Sequence, residues 1–321
     1  MKMLPGILLR IVACFILLSL FSPLAAQEKI KFGKIDIADL KMNRCPFDSS
    51  ADAMILGDIG QTYFLYDDLH GFSMIFERLI RIKILTKKGY SDANIEIPFY
   101  HLNQDEEKIT SIKARTYNLE NGKIVETKVT DESIFDEEVD AYWKNRKISF
   151  PAVREGSIVE LKYSISSPFL FNLRSWYFQD RLPIRWSEYE VRIPEFFKYT
   201  KNATGFLSFV VNENSTNQSH INQMSTTYKG NALTANSATY EDNSVEYTEY
   251  NTRLATKDVP AFKEEPYTSS IKNFISKIEF SYTGYQFPRQ PFHSKYSTWE
   301  EIIDDLEQDG DFGSQIRKKG L

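Results

Sequence analysis

Hydrophobic and polar residues alternate along most of this chain with a period of two. Between Phe72 and Leu85, Met74, Phe76, Ile80, Ile82 and Ile84 fall on one side, interrupted by Arg78. From Gly156 to Ile165, Val159, Leu161, Tyr163 and Ile165 alternate with Glu160, Lys162 and Ser164. The stretch Ser187–Pro194 repeats the device, with Tyr189, Val191 and Ile193 set against Glu188, Glu190 and Arg192. Successive side chains of a strand point to opposite faces, so each run predicts a strand with one dry and one wet face, which is the antiparallel signature. Shorter runs at Gln61–Tyr66, around Ile95 and Ile97, and at Gly205–Val211 predict further strands. Asn121-Gly122 sits between two alternating runs and tolerates the positive φ of a tight turn, so it predicts a β-hairpin. Asp48 or Ser49 is placed to cap a short helix. The Asn-, Ser- and Thr-rich stretch Asn212–Asn236 reads as exposed hairpins and a long loop.

The period changes only near the end. In STWEEIIDDLEQ, Trp299, Ile302, Ile303 and Leu306 stand at i, i+3, i+4 and i+7, and Ser297 with Glu300 forms a capping box. The fold expected is therefore mainly β: an antiparallel β-sandwich-like domain with a short helical C-terminal segment. A Pro-punctuated connector around VPAFKEEPYTSS separates the two textures.

The first residues have a different character. Lys2 and Arg10 precede the apolar run Ile11–Phe21, Pro23 breaks that run, and Leu24-Ala25-Ala26 supplies small residues for cleavage. Residues 1–26 read as a signal peptide, which implies an exported chain, periplasmic or extracellular. The run of about 11 residues is short of the roughly 20 needed to span a bilayer, so no membrane span is expected after cleavage. Losing Lys2 and Arg10 takes the formal net charge from −5 to −7. A chain that acidic is a poor partner for nucleic acid. Cys45 is then the one cysteine left, so no internal disulfide can form and the fold rests on its core.

No constellation of chemistry stands out. His70, His101, His220 and His293 lack metal-ligand spacing, and no nucleophile signature surrounds Cys45. No catalytic, metal-ligating or cofactor-binding residue is expected. DLEQDGDFGSQI, from Asp305, mimics a calcium loop, but Ile316 stands where a bidentate Glu is required. The acidic stretch Asp131–Asp140 reads as a solvated loop, with cation or basic-peptide binding as the lesser reading. RSWYFQDRLPIRWSEYEVRIPE gathers Trp176, Tyr177 and Trp186. Core or domain-interface packing is the favoured reading of these aromatics. The alternative is an interface or ligand surface for a peptide or glycan.

Several segments together resemble a known family: CPFDSSADAMILGD, RIKILTKKGYSDANIEIPF, IKARTYNLENGKI, FPAVREGSIVELKYSISSP, WYFQDRLPIRWSEYEVRIPEFFKY and VPAFKEEPY. Their style and order are similar to the domain of unknown function that precedes a transglutaminase-like core in secreted Gram-negative proteins. STWEEIIDDLEQDGDFG resembles the helix leading into that core. The resemblance implies a β-sandwich-like domain over 27–265, and over 266–321 a connector with the start of a transglutaminase-like domain. It places the family's Cys-His-Asp triad beyond Leu321, and no residue here matches it. The expected role is a non-catalytic exported module that docks on, presents substrate to, or stabilises a transglutaminase-like domain in cis or in trans. The alternatives are the front half of such a transferase or peptidase, and a stand-alone carbohydrate- or peptide-binding module.

Overall fold

The computed structural model describes residues 30–229, 237–263, 274–295 and 299–308. The chain divides into Met1–Lys31 and Phe32–Leu321, and the architecture that follows is that of the second unit. The expected signal peptide, Ser297, and all but the first residues of the calcium-loop mimic lie outside the described residues, as does 264–273 of the expected connector.

The elements run α1 (Ile37–Lys41), β1 (Ala53–Asp67), β2 (Gly71–Ile84), β3 (Asn94–Leu102), β4 (Asp105–Glu106), β5 (Lys108–Glu120), β6 (Lys123–Lys128), β7 (Ile134–Glu138) and β8 (Trp143–Ser149). They continue with β9 (Ile158–Ser167), β10 (Trp176–Tyr177), β11 (Ile184–Pro194), β12 (Phe197–Thr204), β13 (Val211–Lys229), β14 (Ser237–Val259), β15 (Lys277–Tyr285), β16 (His293–Ser294) and α2 (Trp299–Gln308). Strands dominate, most of them antiparallel, and a short helix follows. Eight strands form one sheet in the order β13-β14-β11-β1-β2-β9-β5-β6. Two smaller sheets follow the orders β10-β15-β12, with β16 beside β15, and β4-β3-β8-β7. Within the large sheet β1 and β11 run parallel.

The alternation decides how these sheets layer. Met74, Phe76, Ile80, Ile82, Leu161 and Tyr163 share one face of the large sheet. Phe197 and Phe280 of the second sheet, and Ile97 and Ile148 of the third, close over that face in one continuous core. Phe64 stacks on Phe197 with ring centroids 5.2 Å apart, tying the two sheets together. The Asn121-Gly122 turn is present, with φ of 50° and 77°.

Four local readings need correction. No helix follows Asp48; its carboxylate instead accepts from the backbone and hydroxyl of Ser50 in a turn. The short helix is α1, which begins after Asp36, whose side chain accepts from the Ala38 N–H. The strand expected at Gly205–Val211 lies earlier, as β12, because Gly205 takes φ +93° and ends it. The acidic stretch is a strand over part of its length, β7, and Asn212–Asn236 contributes most of β13 and not a set of short hairpins.

The opposite face of the large sheet is covered by the segment containing α1. Leu40 and Cys45 pack there against Met54, Leu56, Leu85 and Tyr117. Lys83 reaches this layer fully buried and donates to the carbonyls of Leu40 at 2.7 Å and Gly156 at 2.5 Å. Burial pushes its ammonium down to about 8, against the opposing charge of Asp39. Between pH 8 and 10 the unfolded chain keeps this proton and the folded chain releases it. The Lys83 contribution to stability should therefore rise with pH across that window, by about 1 kcal/mol per unit, while buried tyrosines such as Tyr117, whose phenols are raised, act in the opposite sense near pH 10. Denaturant titrations at pH 8, 9 and 10 should show the stability difference between the wild type and Lys83→Met rising with this slope. An equal slope in both would exclude Lys83 as its source.

Candidate functional site

The aromatic stretch is the first place to look. β10 sets Trp176 against the inner face of the large sheet, where it is 3% exposed and stacks on Tyr189 with centroids 5.1 Å apart. Its indole N–H donates to the Ser187 hydroxyl at 3.0 Å. The Arg78 guanidinium lies 5.3 Å above the ring and is held by two 2.7 Å bonds to Asp58. Burial pushes the Asp58 carboxyl up, and the Arg78 charge pulls it back. Trp186 is 8% exposed and donates to Glu188 at 3.0 Å, while Glu188 also accepts from Arg253 at 2.7 Å. Tyr177 is half-buried with Lys277 over its ring. The three aromatics thus occupy separate surroundings, and neither indole offers an open face to a sugar.

Nor does any thiol chemistry assemble. Cys45 is buried among aliphatic side chains and Tyr117. Nucleophilic catalysis needs a base within hydrogen-bond reach, and Cys45 has no such partner among the described residues. No group of His, Cys, Asp and Glu among the described residues could hold a metal ion.

One open feature is a cleft beside β5. One part, about 510 Å³, is lined by Phe99, Glu106, Glu107, Lys108, Ile109, Asp136, Glu137, Glu138, Lys144 and Arg146. A second part, about 380 Å³, shares Ile109 and Arg146 and continues past Ser111, Ile112 and Ala114 to Val129 and Ile134. Both volumes are of ligand-cleft size. One wall is therefore β5, and the other comes from β7, β8 and Phe99.

Ion pairs organise the second wall. Arg146 grips Asp136 through bonds of 2.6 and 2.7 Å and lies over the Phe99 ring. Its two hydrogen bonds hold the Asp136 carboxyl below the usual carboxylate range. Lys144 meets Glu106 at 3.0 Å, and Lys147 meets Glu137 at 2.5 Å. Glu107 is almost wholly buried. Its Oε2 accepts from Arg174 and from the Tyr100 N–H, while Oε1 has no hydrogen-bond partner among the described residues. The charge run Asp131–Asp140 reads in the sequence as a solvated loop. That reading misses that β7 brings Asp136 and Glu138 opposite β5; the alternation of Ile134, Asp136 and Glu138 is the available signal.

A second open feature is α2, whose apolar stripe is uncovered among the described residues. Trp299, Ile303 and Leu306 are 76%, 51% and 45% exposed.

Among solved structures the chain is similar to one described as a "putative protease" from Parabacteroides distasonis. The identity is 14%, over 73% of this chain and 41% of that one, with a TM-score of 0.46. It is also similar to a mutant of the M1 zinc metallopeptidase from Deinococcus radiodurans, at 8% identity over 67% of this chain and 44% of that one, with a TM-score of 0.27. The chain spans less than half the length of these structures. No curated protein matches it. Residues 72–230, from β2 through β13, match the family model described as "Domain of Unknown Function with solved-structure structure (DUF3857)". Over 72–230 the chain is thus similar to DUF3857, a domain of unknown function.

Proposed function

We propose that this chain is a non-catalytic, exported β module that accompanies a transglutaminase-like domain, in cis or in trans, and docks on it. The observation that carries the reading is the bare stripe of α2. A ten-residue helix is below the length at which helices persist alone in water, so its order comes from what its apolar face packs against. Trp299, Ile303 and Leu306 fall on one face at i, i+4 and i+7 and stand exposed. Covering such side chains contributes about 1.5–3 kcal/mol each. The resemblance of residues 297–313 to the lead-in helix of a transglutaminase-like core supplies the identity of the cover.

The test is association. The chain is mixed with a transglutaminase-like domain from the same genome and followed by sedimentation and calorimetry. The double variant Trp299→Ser, Ile303→Ser should melt within about 1 °C of the wild type, since both residues are exposed. It should bind at least about tenfold more weakly, as loss of an aromatic anchor implies. Undiminished binding by the variant, or no complex with the wild type, overturns the reading.

A further inference from the structure

We propose that the cleft between β5 and the wall of β7 and β8 receives an extended peptide segment of another polypeptide, carrying basic side chains, which adds as a strand to the open edge of β5. The proposal goes beyond the docking reading and does not depend on α2.

The backbone carries the argument first. β9 pairs with β5 along one side from Lys108 to Tyr117. On the other side β6 pairs only with Arg115 to Glu120. From Lys108 to Lys113, β5 therefore has a ladder partner on one side alone among the described residues. The Val129 N–H donates to the Ala114 carbonyl at 3.1 Å, which marks Ala114 as facing away from β9. Amide directions alternate along an antiparallel strand, so the N–H and C=O of Ile112 face the same way as those of Ala114. Ile112 and Ala114 both line the cleft. An edge with unsatisfied backbone groups is a template for a further strand.

The cleft then selects the strand. Period two sends alternate side chains of an added strand to opposite sides. The aliphatic side chains of Ile109, Ile112 and Ile134 suit small apolar residues. Four of the five carboxylates in the larger part of the cleft are already paired, Glu106 with Lys144, Asp136 with Arg146, Glu137 with Lys147 and Glu107 with Arg174, which among the described residues leaves Glu138 to meet an occupant. Glu138 lies exposed at the end of β7. Its carboxylate favours a basic side chain on the occupant.

A competing account exists. Lysines and bulges also serve to guard edges against pairing. β5 has Lys108, Lys113 and a register shift between Ile109 and Ser111. On the present reading these limit the occupant to a short segment. On the competing account they close the edge altogether, and the two make opposite predictions for one experiment.

The full chain is titrated with an acetylated, amidated hexapeptide alternating valine and lysine, with its glutamate counterpart, and with the lysine peptide N-methylated on alternate residues. Binding is read by calorimetry and by hydrogen exchange of the Ile112 amide. The lysine peptide should bind saturably and protect the Ile112 amide from exchange. The N-methylated peptide, equal in charge, should bind at least about tenfold more weakly, and so should the glutamate peptide. Glu138→Lys, an exposed change that leaves the fold intact, should weaken the lysine peptide severalfold, while the α2 double variant should not affect it. Absence of saturable binding means a closed edge and overturns the proposal. Equal binding of the methylated and unmethylated peptides also overturns it, since attraction is then by charge alone.

Discussion

Trp176→Ala should lower stability by about 3–5 kcal/mol, a large share of the 5–15 kcal/mol that holds a typical domain folded. The ring is buried, stacked on Tyr189 and capped by Arg78, so its loss opens a cavity beneath a charge. At about 2–4 °C per kcal/mol for a domain of this size, the melting midpoint should fall by roughly 10 °C. A second variant isolates the packing. A Cβ built on Gly60 would lie 2.2 Å from the Trp176 ring, a distance no relaxed structure keeps. Gly60→Ala alone should therefore cost about 1–3 kcal/mol through overpacking. In the Trp176→Ala background the same change meets an empty space and should cost almost nothing. The double-mutant cycle should show a coupling of about 1–3 kcal/mol. Additive effects, or a Trp176→Ala protein that melts like the wild type, would remove Trp176 from the core and return it to the surface reading.

The parts of this fold that were legible in the sequence are those where one face is wet and the other dry. β2, β9 and β11 bury alternate residues over part of their length, so their period survives there in the residue types; elsewhere both faces are buried, and Arg81, Lys83 and Glu160 carry a polar pattern on a covered face. β13 shows where the signal fails. Asn212 to Ser219 are mostly exposed on both faces, so no hydrophobic period develops although the backbone pairs in unbroken register with β14. β7 was obscured differently: its cleft-side residues after Ile134 are Asp136 and Glu138, exposed charges that interact with Arg146 and Lys144 and not with an apolar core. α1, at five residues, is too short for a helical period to show, and only its Asp36 cap gives it away. The cleft could not be read at all. It exists because β6 stops pairing at Lys128 while β5 runs on to Lys108, and the relative lengths of two paired strands are not written in residue type.

Glu160→Ala is expected to cost about 3–5 kcal/mol, because it strands a buried cation. Glu160 is fully buried on the face of the large sheet opposite the main core. Its Oε1 accepts from Arg81 through Nε at 3.0 Å and a terminal guanidinium nitrogen at 2.5 Å. Its Oε2 accepts from the Gly33 N–H at 2.8 Å and the Tyr117 hydroxyl at 3.0 Å. Burial, reinforced by the Glu160 charge, pushes the Tyr117 phenol well above the usual tyrosine range, so it stays a donor at any working pH. One carboxylate thus holds together an arginine of β2, a tyrosine of β5 and the backbone just ahead of α1. Deleting it leaves the guanidinium in a layer built from Leu40, Met54 and Ile158. Deleting the whole pair has a different consequence. In Arg81→Met, Glu160→Leu neither charge must be desolvated, so stability should return to within about 1 kcal/mol of the wild type or exceed it. The Gly33 N–H still loses its acceptor in the double variant. The segment ahead of α1 should then be cut faster by protease than in the wild type, although the melting midpoint has recovered. Equal losses of stability in the single and double variants would mean that the network acts as an anchor whose worth lies in its hydrogen bonds, and not as a charge pair that balances its own burial.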